Sequence, residues 1–191
     1  MNLILHHADV CPFCVRTRLV LDGKGLEYET VQVDLGDKPA YLRELNPRNR
    51  VPVLIADGVV LYESEALDEY LDERFPDPPM MSADPEGRAR VRALMRRFED
   101  LSDAFYDARK DVPGGIESYL DALDWVDDLL QEHDYLAGDL YTLAEPGYWP
   151  WIMRAHRVGV ELDRYPAILA WCERLERRPE YAQERALVLP V

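Results

Sequence analysis

The chain has 191 residues, 37 Asp+Glu against 22 Lys+Arg, and a formal net charge of −15. That length suits one large domain or two small ones that bury roughly 70% of the unfolded surface without a disulfide or metal staple, and 48% apolar with 31% charged residues excludes disorder and collagen-like repeats. The acidic balance argues against general nucleic-acid binding, no apolar run approaches the roughly 18 residues of a membrane span, and MNLILHHADVC is too short and too polar for a signal peptide, so with three cysteines the expected compartment is the reducing cytoplasm.

Residues 2–5 read as a short buried strand, followed by a loop from His7 to Val10. A helix begins near Cys11-Pro12, with Pro12 at the first helical position, where its missing N–H costs nothing. Val15, Leu19, Val20 and Leu21 supply its buried side, and Gly23 and Gly25 end it. Tyr28 to Val33 alternates as a second strand, and Pro39 to Leu45 forms a short helix. Residues 51–55 and 59–62 are strands joined by Ala56-Asp57-Gly58, a hairpin signal. Ser64 to Arg74 is a helix with Ala66, Leu67, Tyr70 and Leu71 inward. Residues 1–75 therefore read β-α-β-α-β-β-α. A Pro-rich linker over 76–85 follows, and residues 86–191 show helical periodicity alone, at 86–110, 114–133, 143–159 and 166–177. Thr142-x-x-Glu145 is a capping-box pattern for the third of these helices. Pro146 and Pro150 inside it predict an irregular start or a kink.

Cys11-Pro12-Phe13-Cys14 is the sharpest chemical signal. It follows a strand and opens a helix, where unpaired N–H groups and the helix dipole favour an anion. That position depresses the pKa of Cys11 and leaves Cys14 one turn inside, a nucleophile with a resolving partner, and Arg16 and Arg18 add positive charge nearby. The alternatives are structural cysteines and a metal half-site with His6 and His7. Zinc asks for about four ligands and the chain holds no second C-x-x-C, so no metal is expected. Val51-Pro52 opens a strand; a cis bond would turn the Val51 backbone toward the Cys11 loop, a trans proline would merely start an edge strand, and both stay open. Glu63-Ser64 opens a helix, with Ser64 as a candidate N-cap and Glu63 able to pair with an amine, an arrangement suited to an α-amino acid head group. Cys172 and the four tryptophans read as packing residues. Arg88, Arg90, Arg92, Arg96 and Arg97 read as a solvated, partly salt-bridged helix face.

Taken together, Cys-Pro-Phe-Cys at the first helix, Val51-Pro52, Glu63-Ser64, the Pro-rich linker and an all-helical half resemble the cytosolic glutathione transferase superfamily over essentially the whole chain. Cys11-Pro12-Phe13, Arg16-Thr17-Arg18-Leu19-Val20-Leu21 and Lys24-Gly25 are similar to its omega class, and Cys14 adds a second thiol as in dithiol glutaredoxins. The resemblance implies a thioredoxin-like α/β domain over 1–75, a linker over 76–85, an all-α domain over 86–191, and glutathione as cosubstrate. It implies that Cys11 forms the mixed disulfide and that Lys38 meets the glycine carboxylate. Val51 would offer backbone bonds beside a cis Pro52, Glu63 and Ser64 would hold the γ-glutamyl group, and Phe13 would line the glutathione site. It further implies a cytoplasmic homodimer acting on a small-molecule or glutathionylated thiol, with no nucleic-acid or membrane partner. A second relative is the stringent starvation protein A group, transferase-like proteins that bind RNA polymerase. Glu69-Tyr70-Leu71-Asp72-Glu73-Arg74-Phe75-Pro76 resembles that group, although its members generally lack the catalytic cysteine.

Overall fold

The computed structural model describes residues 1–188, so residues 189–191 of the expected helical half lie outside the described residues. The chain forms two compact units, Met1–Pro79 and Met80–Val191.

The first unit runs β1 (Leu3–His7), α1 (Pro12–Gly23), β2 (Glu29–Gln32), α2 (Tyr41–Leu45), β3 (Val53–Ala56), β4 (Val59–Tyr62) and α3 (Ser64–Arg74). The sheet order is β2-β1-β3-β4, with β1 parallel to β2 and antiparallel to β3, and β3 antiparallel to β4. The element order is the one read from the sequence, and the mixed four-stranded sheet is the thioredoxin-like arrangement that the resemblance implies. The hairpin forms at Asp57-Gly58, both at positive φ (48° and 86°), as a two-residue primed turn requires.

Several expectations change in this unit. β1 continues through His6 and His7 instead of stopping at residue 5, because both pair across the sheet, His6 with Val31 and Val53 and His7 with Gln32. Val51-Pro52 is cis and precedes β3, which starts at Val53. The inner stripe of α3 is Ser64, Leu67, Asp68, Leu71 and Asp72, while Ala66 is exposed and Tyr70 half-buried. Two aspartates sit on a buried face because α1 offers them cations. Arg16 Nε donates to Asp68 Oδ2 at 2.8 Å and Thr17 Oγ1 to Asp68 Oδ1 at 3.0 Å. Lys24 Nζ donates to Asp72 Oδ1 (2.8 Å) and to the Phe75 and Pro78 carbonyls (2.7 and 2.9 Å), tying the end of α3 and its exit segment to the end of α1.

The second unit is helical: α4 (Pro85–Arg109), α5 (Gly115–Glu132), α6 (Ala144–Ile152), two 3-10 turns (Ala155–Val158 and Leu162–Arg164), α7 (Pro166–Glu176) and α8 (Pro179–Val188). Asp84 caps α4 by accepting from Gly87 N at 2.7 Å. Gly115 lets α5 start against the end of α4, since a Cβ there would lie 2.6 Å from Ala108 N. The single helix expected over 143–159 is instead α6 followed by a 3-10 turn. Pro150 lacks an N–H for the helix ladder, and Gly159 at φ 73° ends the turn. Half of the capping box forms: the Glu145 carboxylate returns to Thr142 N (2.6 Å) and Thr142 Oγ1 (2.9 Å), and also accepts from Leu136 N (2.8 Å). Thr142 Oγ1 in turn accepts from Ala144 N rather than from Glu145 N. Trp149, Trp151, Trp171 and Cys172 are core, as their periodicity predicts. Trp125 is only half-buried, with the Arg97 guanidinium 3.9 Å from its ring centre. The arginine-rich start of α4 is tied into local ion pairs and carbonyl bonds, among them Arg96–Glu99 and Arg90 to the Ala137 carbonyl. Among the described residues no helix is long and apolar enough to cross a membrane.

Candidate active site

The site grows from the end of β1. The chain turns at Ala8, where Cys11 N donates to Ala8 O (3.1 Å), and enters α1 with Cys11 as N-cap at φ −80°, ψ 117°. Pro12 occupies the first helical position and no acidic residue lies in the first turn, so the helix dipole at Cys11 is not offset locally. Cys14 N and Val15 N both donate to Cys11 O at 3.0 Å, fixing the two cysteines one turn apart. Both are thiols, Cys11 9% exposed and Cys14 fully buried. Burial, together with a hydrogen bond to Cys11, pushes the Cys14 thiol well above its usual range, against a lowering by the Ala8 backbone and Arg18. Cys14 is thus held as a thiol that can donate to the Cys11 sulfur.

Cys11, Cys14 and Val51 pack in one cluster with Ala8, Val33, Leu42 and Val53, and Phe13 lies against it. Lys38 and Glu63 each contact the loop before β3. Lys38 Nζ donates to Asn49 O at 3.0 Å, and Arg48 Nη1 pairs with Glu63 Oε1 at 3.1 Å. Asn46 braces this loop, donating to Arg50 O (2.9 Å) and accepting from Arg48 N (3.0 Å). Glu63, not Ser64, is the N-cap of α3, with φ 69° and no side-chain capping bond; Ser64 is the first helical residue and is buried. Positive φ at a non-glycine residue is a strained conformation that the surrounding contacts must hold.

The two arginines expected beside the cysteines part company. Arg16, two residues before Arg18 and so on another face, spends its charge on Asp68. Arg18 folds back to the cysteine loop: its Nη1 donates to His7 Nδ1 (2.8 Å) and Ala8 O (3.5 Å), and its Nη2 to Asp9 O (3.2 Å). A guanidinium only donates, so Nδ1 accepts and the neutral His7 ring carries its proton on Nε2. Burial and then Arg18 both lower the His7 pKa, against Asp9, which raises it. His6 lies on the other face of β1, edge-on to Tyr41 with ring centres 5.4 Å apart, so the two histidines do not converge with the cysteines. Among the described residues no group of three or more His, Cys, Asp and Glu side chains is placed to hold a metal. Periodicity did not reveal Asp68 or Asp72 as partners, because acids on an apolar stripe show no signal until the cations opposite them are known.

Residues 5–79 match the glutathione S-transferase N-terminal domain and residues 68–174 the C-terminal domain. The chain belongs to the glutathione S-transferase family. It is 33% identical to a stringent starvation protein A homolog of Haemophilus influenzae, over 96% of this chain and 89% of that one. It is 31% identical to the pyrimidodiazepine synthase of Drosophila melanogaster, over 93% and 78%. It is 28% identical to glutathione S-transferase omega-1 of Mus musculus, over 88% and 74%. Among solved structures, glutathione transferase E6 of Drosophila melanogaster superposes with a TM-score of 0.87 at 27% identity, over 97% of this chain and 91% of that one.

Proposed function

We propose that this glutathione S-transferase family member is a glutathione-dependent thiol transferase with Cys11 as nucleophile. The observation that carries the reading is Cys11 as N-cap of α1, with the buried Cys14 thiol hydrogen-bonded to it. The Cys11 thiolate attacks the glutathione sulfur of a mixed disulfide. The Cys11–glutathione disulfide forms, the substrate's S–S bond breaks, and the leaving thiolate takes up a proton. A second glutathione thiolate then attacks the glutathione sulfur, releasing oxidised glutathione and restoring the Cys11 thiolate. Alternatively, Cys14 loses its proton and attacks the Cys11 sulfur, closing an internal disulfide and releasing glutathione. A cysteine that bonds to glutathione's sulfur favours this exchange over conjugation.

In this reading Lys38 meets the glycine carboxylate and Val51 pairs with the cysteinyl backbone beside cis Pro52. Ser64 and Glu63 hold the γ-glutamyl end, and Phe13 lines the site. The protein works as a cytoplasmic homodimer without a metal. Intact-protein mass spectrometry after oxidised glutathione tests the chemistry. One added glutathione is expected on Cys14→Ser, mainly an internal disulfide on the unmodified protein, and neither on Cys11→Ser. Equal adduct on the unmodified protein and Cys14→Ser would remove Cys14 as the resolving residue.

The similarity to a stringent starvation protein A homolog favours a second reading, a transferase-like regulator that binds RNA polymerase. Absence of any glutathione adduct, with retention on immobilised RNA polymerase, would put that reading first.

A further inference from the structure

Arg18 lies seven residues beyond Cys11, yet its side chain runs back along α1 toward the helix start, the direction in which helical side chains lean. It is 4% exposed, and its fork bridges three acceptors at the end of β1: His7 Nδ1 and the carbonyls of Ala8 and Asp9. Cys11 N donates to that same Ala8 carbonyl, so the guanidinium and the nucleophile's backbone share one anchor. Leu42, Val33, Val51 and Val53 pack with the cysteine pair in one apolar cluster. The titratable or charged groups at this turn are His7, held neutral as an acceptor, Asp9 and Arg18. Arg16 is turned away onto Asp68, and Lys38 and Arg48 stand on the loops at residues 38 and 48 with Asn49 and Glu63 as partners.

We propose that Arg18 is the positioning residue of the thiolate: its fork fixes the Ala8–Asp9 turn that presents Cys11, and its buried charge favours the anionic form of the cysteine pair. The charge of Arg18 also acts on Cys14, against the effect of burial. A lysine would supply the charge, but its compact ammonium does not present the planar fork that spans these acceptors. The inference rests on Cys11 as the nucleophile.

The test is the pH dependence of Cys11 alkylation by iodoacetamide, followed by peptide mapping on the full chain and on Arg18→Met and Arg18→Lys, with folding checked by circular dichroism. Loss of a nearby opposite charge should raise the alkylation midpoint of Arg18→Met by about one pH unit, with Arg18→Lys shifted less. A residue that only braces the turn would change the reaction rate at every pH and leave the midpoint in place. A folded Arg18→Met with the midpoint of the unmodified protein would overturn the proposal. If Arg18→Met does not fold, Arg18→Gln, which keeps donors and loses the charge, decides on the same comparison. Because the probe is an alkylating agent, the outcome does not depend on glutathione turnover. Glutathione binding by the unmodified protein, measured by calorimetry, judges the proposed function separately.

Discussion

In the proposed site Ser64 and Lys38 would hold opposite ends of glutathione, and each would lose one hydrogen bond to a charged group on truncation. Ser64→Ala and Lys38→Ala should each weaken glutathione binding by about 1–3 kcal/mol by titration calorimetry, and unchanged affinity in both would mean that the site lies elsewhere. The cysteine pair, the Val51-Pro52 corner and Glu63-Ser64 were all legible as residues, because each is a local pattern of a few neighbours. Arg18 as a brace and Arg48 as the partner of Glu63 were not, since each contact closes over a loop whose path no spacing rule gives. Glu145 carries a pH signature of its own. Burial raises its carboxyl to about 7, against hydrogen bonds from Thr142 and Leu136 that lower it. A folded value above the ordinary 4.5 means that the folded chain holds the proton more tightly. Its contribution to stability is therefore greatest below pH 4.5 and declines until pH reaches about 7. Urea unfolding of the unmodified protein and Glu145→Gln should give a stability difference that moves by roughly 3 kcal/mol over that window, to the disadvantage of the glutamate at high pH. A difference independent of pH would contradict the assignment.

At the scale of elements, the α1–α3 pair shows how charge can hold a packed face. Lys24 reaches Asp72 and two carbonyls beyond α3 from the end of α1, with its side chain buried. Lys24→Met should destabilise the first unit by about 3 kcal/mol in denaturant unfolding, because it takes the buried ammonium away from Asp72 and both carbonyls. A loss under half that would show that water replaces the ammonium. The strands and α1 were readable from short apolar runs and from proline and glycine punctuation. The inward face of α3 departs from the sequence expectation for a physical reason: the stripe 64-67-68-71-72 is regular, but two of its members are acids. α8 escaped for the same reason, since its buried positions include Glu180 and Glu184 beside Tyr181. The break after α6 was foreshadowed by Pro150, whereas the point of resumption depends on how Arg154 and Gly159 settle the turn, with the Arg154 guanidinium donating to Pro150 O.

For the whole molecule, the edge strand β4 leaves Val59, Val60 and Tyr62 exposed at 59%, 37% and 39%, an apolar edge of the kind that seeks a partner. With the family resemblance, this favours the homodimer proposed above. Light scattering at micromolar concentration should give about twice the 22.1 kDa chain mass, and Val60→Lys should lower it; a mass of one chain for the unmodified protein would count against the dimer. The distribution of indoles has a practical consequence. All four tryptophans, Trp125, Trp149, Trp151 and Trp171, belong to the unit Met80–Val191, while Cys11 and Cys14 belong to Met1–Pro79. Tryptophan emission, excited beyond the tyrosine absorption band, is therefore a spectroscopic report on the helical unit, and thiol trapping of the Cys-Pro-Phe-Cys segment a report on the other. Superimposable urea curves from the two probes are expected if the chain melts in one cooperative step. Curves that separate would mean that a fluorescence midpoint, quoted by itself, says nothing about the half that bears the cysteine pair.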